Sequence, residues 1–201
     1  MLKIGLTGGV GSGKSTVSNI LREKGIKIID ADLISREVIN IYPEIKEKIK
    51  ETFGEVFFDK KGNLKRRELG NYIFKQSEKR KELERIIMPY IKKEIDLRFD
   101  DYEKSGEYLC ILDAPTLIEQ EIYKYMNKNI LVWVDRKNQI QRVMSRDNFT
   151  ENQVLDRINS QMDLEEKKKY VDFIIDNSKD LIDTIKQINN IIAIIKKDEG
   201  H

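Results

Sequence analysis

The sequence predicts an α/β fold: a five-stranded parallel sheet with helices on both faces. Two observations carry that prediction. Five short apolar runs, Lys3–Leu6, Lys27–Ile29, Tyr108–Leu112, Ile130–Val134 and Phe173–Ile175, alternate with stretches of helical periodicity. Between the first run and the first helical pattern lies a glycine-rich segment, Gly8-Gly9-Val10-Gly11-Ser12-Gly13, a connection that ordinary strand-to-helix turns do not need.

Composition narrows the class. A chain of 201 residues suits one compact domain with room for an inserted subdomain. Charged residues make up 36%, but the net charge is only +2, which gives no case for a nucleic-acid or membrane partner. The lysines are interspersed with glutamates on helical patterns and read as solvated faces. No apolar stretch is long enough to span a bilayer. The apolar start holds Lys3 and runs straight into the glycine segment, which argues against a signal peptide. A soluble, cytoplasmic protein is expected, and nothing in the chain sets an oligomeric state. Cys110 sits inside an apolar run and reads as core. The single histidine is His201, so histidine catalysis and His/Cys metal sites are excluded.

The elements follow in order. After the first strand, Gly8, Gly13, Lys14 and Ser15 satisfy G-x-x-x-x-G-K-[ST], a loop whose backbone N–H groups cradle a polyphosphate. Lys14 is placed to reach the β/γ-phosphates and Ser15 to ligate Mg²⁺. A helix over Ser15–Arg22, with Val17, Ile20 and Leu21 at helical spacing, turns its N-terminus to the phosphates. These residues imply binding of a nucleoside triphosphate. The second strand ends at Asp30-Ala31-Asp32, read as directly beside the phosphate loop. If that strand continues, alternation puts both carboxylates on one side, one to accept a substrate proton and the other to order Mg²⁺-bound water. Helix N-capping is the competing role for either.

Residues 33–106 are too many for a simple crossover and are mostly helical. Helices are expected over Pro43–Phe53, Lys65–Phe74 and Ser77–Tyr102, the last with a kink at Pro89. This stretch reads either as an inserted substrate domain or as a helical layer over the sheet. The remaining core is then 1–32 with 107–201. Asp113 closes the third strand as a candidate supporter of Mg²⁺, and Pro115 stops it. From Arg136 to Lys168 an arginine-rich helical hairpin is expected, breaking at Asp147-Asn148-Phe149 and restarting at a Thr150/Gln153 capping box. Such a hairpin can act as a lid, with Arg142, Arg146 and Arg157 available to clamp phosphate oxygens or stack on adenine. Leu181, Ile185, Ile188, Ile192 and Ile195 form the core-facing stripe of a last helix. Ligands of such sheets bind at the carboxyl ends of the strands, where these polar segments converge.

Together the motifs resemble the dephospho-CoA kinase family, from Ile4 to about Ile188. Gly5-Leu6-Thr7-Gly8-Gly9-Val10-Gly11-Ser12-Gly13-Lys14-Ser15-Thr16 is similar to that family's opening almost residue for residue. Asp30-Ala31-Asp32 with Arg36 resembles its second-strand motif. Phe53-Gly54, Gly62-Asn63-Leu64-Lys65-Arg66 and Leu69 resemble its substrate-domain pattern. Asp113-Ala114-Pro115-Thr116-Leu117-Ile118-Glu119 is similar to its D-x-P-L-L-x-E segment. Arg142, Arg146, Arg157-Ile158 and Gln161 fall on its lid pattern, and Asp172 with Asn177 on its closing D-x-x-I-x-N. The chain departs from the family at Met88-Pro89, where the pattern has His-Pro, at Thr116 in place of leucine, and at Asn177-Ser178-Lys179 in place of Asn-x-Gly.

The resemblance implies a P-loop NTPase three-layer sandwich with a helical substrate-binding insertion at 33–106 and a helical lid at about 136–168. It implies transfer of the ATP γ-phosphoryl to the ribose 3′-hydroxyl of 3′-dephospho-CoA, with Mg²⁺ as cofactor. Asp32 is then the general base, with Lys14 also catalytic. Gly11, Ser12, Gly13, Lys14, Ser15, Thr16, Arg142, Arg146 and Asn177 bind ATP, while Asp32, Arg36 and Arg66 bind the acceptor. Ser15 and Asp113 serve the metal. Another small-molecule kinase of the same architecture is the alternative. A GTPase-like switch fits less well: Asp59-Lys60-Lys61-Gly62 mimics D-x-x-G, but N-K-x-D is absent because Asn127-Lys128-Asn129 is followed by Ile130.

Overall fold

A computed structural model describes residues 1–74 and 76–198, so His201 lies outside the described residues. The chain runs β1 (Leu2–Gly8), α1 (Lys14–Glu23), β2 (Lys27–Asp30), α2 (Ala31–Ile41), α3 (Pro43–Phe53), α4 (Arg66–Phe74) and α5 (Ser77–Lys104). It continues through β3 (Leu109–Asp113), β4 (Lys128–Trp133), α6 (Arg136–Asp147), α7 (Glu151–Asn159), α8 (Leu164–Lys167), β5 (Phe173–Asp176) and α9 (Leu181–Asp198). Contacts divide it into two compact units: Met1–Asp30 with the chain from Phe99 onward, and Ala31–Arg98.

The first unit holds the sheet, five parallel strands in the order β2-β3-β1-β4-β5. The order corrects one expectation. β3, not β2, neighbours β1: Leu6 registers with Asp113, and Asp113 in turn with Asp30. The carboxylate beside the phosphate loop is therefore Asp113. A second correction follows from where β2 stops. It ends at Asp30 and α2 begins at Ala31, so the strand does not continue through Asp32 and the alternation argument lapses.

One sheet face packs against α1 and α9. Ile4, Leu6, Ile111, Ile130 and Val132 meet Val17 and Leu21 from α1 and Ile188, Ile191, Ile192 and Ile195 from α9. Side chains such as these, removed from water, contribute about 1.5–3 kcal/mol each. Leu181, expected in that stripe, is 54% exposed instead. It opens α9 before the helix reaches the sheet, so periodicity alone overextended the buried face. Cys110 is fully buried, and burial pushes its thiol up to about 12, as befits core rather than nucleophile.

α6 and α7 form the expected hairpin. Asn148 breaks the helix in the left-handed region (φ 54°). Thr150 then caps α7: its hydroxyl accepts from Gln153 N at 3.4 Å, while Gln153 Oε1 accepts from Thr150 N at 2.9 Å. In the second unit α2, α3, α4 and most of α5 build a helical body. α5 runs as one helix from Ser77 to Lys104 with Pro89 inside it. Among the described residues no helix is long and apolar enough to cross a membrane.

Candidate active site

The turn from β1 into α1 makes the phosphate loop. Ser12 N donates to Gly9 O at 3.1 Å, and Thr16 N to Gly13 O at 3.0 Å as the helix starts. Gly11 and Gly13 sit at φ 77° and 85°, a region that side chains disfavour. A Cβ at Gly13 would also collide with the amide of Asn177. The loop amides and the α1 N-terminus together form an anion-binding concavity. The Ser12 hydroxyl is buried there and has no hydrogen-bond partner among the described residues.

Both peptide groups of Val10 are held by the helical hairpin region. Val10 N donates to Gln161 Oε1 at 2.9 Å, and Gln139 Nε2 donates to Val10 O at 2.9 Å. On the other flank Asn177 Nδ2 donates to Ser12 O at 2.8 Å. The Thr184 hydroxyl in turn donates to Asn177 Oδ1 at 2.8 Å. Arg142 joins this flank, its Nη2 donating to Asn177 O at 2.8 Å. The loop is thus pinned by side chains from α6 and from the segments before α8 and after β5, with Thr184 of α9 bracing Asn177.

Lys14 Nζ pairs with Asp113 Oδ1, and the Ser18 hydroxyl donates to Asp113 Oδ2. Strand register and one helical turn explain the meeting: β3 delivers Asp113 beside β1, and Ser18 stands four residues after Lys14 on α1. Behind them lies Lys167, whose side chain is fully buried. Its ammonium donates to Pro115 O at 2.6 Å and to Glu119 Oε2 at 3.1 Å, and reaches Thr7 Oγ1 at 3.5 Å. Burial holds that ammonium below the ordinary lysine range; Glu119 opposes the shift, and Lys14 adds to it.

The other expected residues fall elsewhere. Arg146 turns to its neighbour: Nε and Nη2 each lie 2.9 Å from an Asp147 oxygen. Arg157 lies over the Phe149 ring at 4.3 Å. Of the three arginines expected at the nucleotide, Arg142 is the one joined to the loop's supports. Asp32, Arg36 and Arg66 belong to the second unit. Asp32 and Arg36 stand one turn apart on α2, and Arg66 Nη2 donates to the Arg36 carbonyl.

Sequence reasoning missed Lys167, Gln139, Ser18 and Thr184 as parts of this site. Ser18 carried a usable signal, its i+4 spacing from Lys14. Lys167 carried none, because it sits in the Glu165-Glu166-Lys167-Lys168-Lys169 run that reads as a solvated face. For a metal, the hard oxygen donors present are the exposed Ser15 hydroxyl and the Asp113 carboxylate, a set that suits Mg²⁺ completed by phosphate and water oxygens. No group of three or more His, Cys, Asp or Glu able to hold a metal occurs among the described residues. Chemically, the arrangement is a cradle of backbone N–H groups and a lysine for phosphate oxygens.

Comparison with known proteins agrees with this geometry. The family model described as dephospho-CoA kinase matches residues 2–183. A dephospho-CoA kinase from Clostridium tetani is 51% identical over 195 residues, covering 96% of this chain and 86% of that one. Among solved structures, TT1252 from Thermus thermophilus superposes with a TM-score of 0.78 at 30% identity, covering 96% of each chain. A dephospho-CoA kinase from Campylobacter jejuni superposes at 0.65 with 26% identity, covering 97% of each. A glycine loop closed on Lys14 and Asp113, a family match over most of the chain and a relative identical at half its positions have one reading: the chain belongs to the dephospho-CoA kinase family.

Proposed function

We propose that this protein transfers the γ-phosphoryl group of ATP to the ribose 3′-hydroxyl of 3′-dephospho-CoA, releasing ADP and CoA. The observation that carries the reading is the phosphate loop with Lys14 drawn to Asp113 at its mouth, in a chain of this family. The amides of Gly11, Ser12, Gly13, Lys14, Ser15 and Thr16 hold the phosphates. Lys14 exchanges its carboxylate partner for phosphate oxygens, a charge-assisted contact of the same kind. Arg142, anchored beside Asn177, screens the donor nucleotide's charge, and Arg146 can swing from the exposed Asp147 pair to help.

Asp32 accepts the proton of the 3′-hydroxyl as its oxygen attacks the γ-phosphorus, and the bond to the β-phosphate oxygen breaks. Arg36 and Arg66 hold the acceptor's diphosphate, and the helical stretch 33–106 serves as its binding insertion. Ser15 and, through water, Asp113 are the residues that would hold Mg²⁺. That ion, when bound, neutralises charge shared between the β- and γ-phosphates. With ATP as donor, the reaction belongs to the cytoplasm.

The deciding experiment is ADP release from ATP and Mg²⁺ with dephospho-CoA, beside a panel of nucleosides, nucleotides and shikimate. Turnover with dephospho-CoA alone is expected. Silence with it and turnover of another acceptor would replace the acceptor. Tight ATP binding with no acceptor at all would favour a nucleotide switch.

A further inference from the structure

Residues 161–167 follow the chain from the end of β1 into the phosphate loop. Lys167 Nζ reaches Thr7 Oγ1 at 3.5 Å. Leu164 lies against Gly9, where an added Cβ would come within 3.3 Å of its Cδ2. Gln161 Oε1 accepts from Val10 N at 2.9 Å. The last contact shapes the loop, because a trans peptide points its N–H and C=O in opposite directions. With Val10 N turned to Gln161, the carbonyl of the same peptide, Gly9 O, faces the other way and accepts from Ser12 N at 3.1 Å. Gln139 acts likewise on the next peptide: its bond to Val10 O sends the Gly11 N–H away from it.

Gln161 is itself held from behind. Its neighbour Met162 donates its N–H to Glu119 Oε1 at 3.2 Å, and Lys167 Nζ lies 3.0 Å from that same oxygen. Lys167 also donates to Pro115 O at 2.6 Å, so its ammonium fixes Glu119 against the exit of β3. Burying an ammonium is costly, and an apolar side chain would fill the space without that cost. What the ammonium adds is direction, because its donors meet Glu119, Pro115 O and Thr7 Oγ1 at one point.

We propose that Lys167 is a positioning residue for the phosphate donor: through Glu119 and Met162 it fixes Gln161, and Gln161 holds the Val10 peptide in the form that receives phosphate. The proposal rests on the reading of the loop as the ATP site. Lys167 touches no substrate in this scheme and acts only through the geometry of the loop. It therefore bears on the donor and not on the acceptor, whereas a tie that merely joined β1 to the exit of β3 would alter stability and leave donor affinity alone.

ATP titration of four proteins tests it: the native chain, Gln161→Ala, Lys167→Met and the double variant, each well below its melting midpoint. Each single change should weaken ATP binding by about 3- to 10-fold, the worth of one hydrogen bond. Because both act along one route, the double variant should match the weaker single variant within about twofold, whereas independent losses would multiply to about 10- to 100-fold. KM for dephospho-CoA should stay within about twofold of native throughout. Lys167→Met leaves Glu119 without its cation. Should it fail to fold, Lys167→Met with Glu119→Gln, which removes both charges, takes its place with the same expectation. Native ATP affinity in the folded Lys167 variant would overturn the proposal and leave the lysine a structural tie. So would losses that multiply in the double variant, or an equal rise in the acceptor KM. Native protein that binds no ATP would bring down the reading of the loop itself, a separate failure.

Discussion

Lys167 Nζ lies 3.0 Å from a carboxylate oxygen of Glu119, and the lysine side chain is wholly removed from solvent. The same ammonium reaches Pro115 O and Thr7 Oγ1, so one buried charge joins the exit of β3 to the end of β1 just ahead of the phosphate loop. Breaking such a pair by removing one partner is costly, because the remaining charge stays buried. Glu119→Ala is expected to lose about 3–5 kcal/mol of stability in denaturant unfolding. A variant as stable as the native protein would mean that the pair is not formed.

The pH response of that lysine has a definite sign. Its folded-state pKa lies below the ordinary value through burial, so the unfolded chain binds the proton more readily. Between the lowered folded value and the unfolded value near ~10.4, Lys167 therefore makes stability rise with pH, and below that window its contribution is constant. Comparing unfolding midpoints of the native protein and Lys167→Met across alkaline pH should show the native slope more positive. An identical slope in both would contradict the shift.

Asp32→Asn keeps the size of the side chain and removes its basicity. Turnover should fall by about 10²–10⁴-fold while ATP affinity, measured by titration, stays within a factor of two or so. Normal turnover would take Asp32 out of the mechanism.

Lys14→Ala removes the phosphate contact and also strands Asp113 beside the loop. Both ATP affinity and kcat should drop, the latter more than the former if the contact tightens in the transition state. Should both survive intact, the phosphate-loop assignment is wrong.

What was legible in the chain follows the range of the interactions involved. The five strands appear within a residue or two of their apolar runs, and α3 spans the expected Pro43–Phe53. The Thr150 capping box and the glycine loop are likewise local patterns, each fixed by hydrogen bonds a few residues apart. The position of β3 between β1 and β2 was not legible, because the pairing of parallel strands is decided across a long crossover. The end of β2, Asp30, was therefore set directly beside the loop, a place that Asp113 at the end of β3 takes.

By itself, then, the sequence determined the five strands, most of the helices, the phosphate-binding loop and the family, since each rests on short spacings of particular residue types. Only the tertiary structure decided who touches the loop: Gln139 and Gln161 on Val10, Asn177 on Ser12, Asp113 on Lys14. It alone set Lys167 apart from the lysines around it. A lysine in a charged run and a lysine sealed beneath a phosphate loop look the same along the chain, and they differ only in what folds over them.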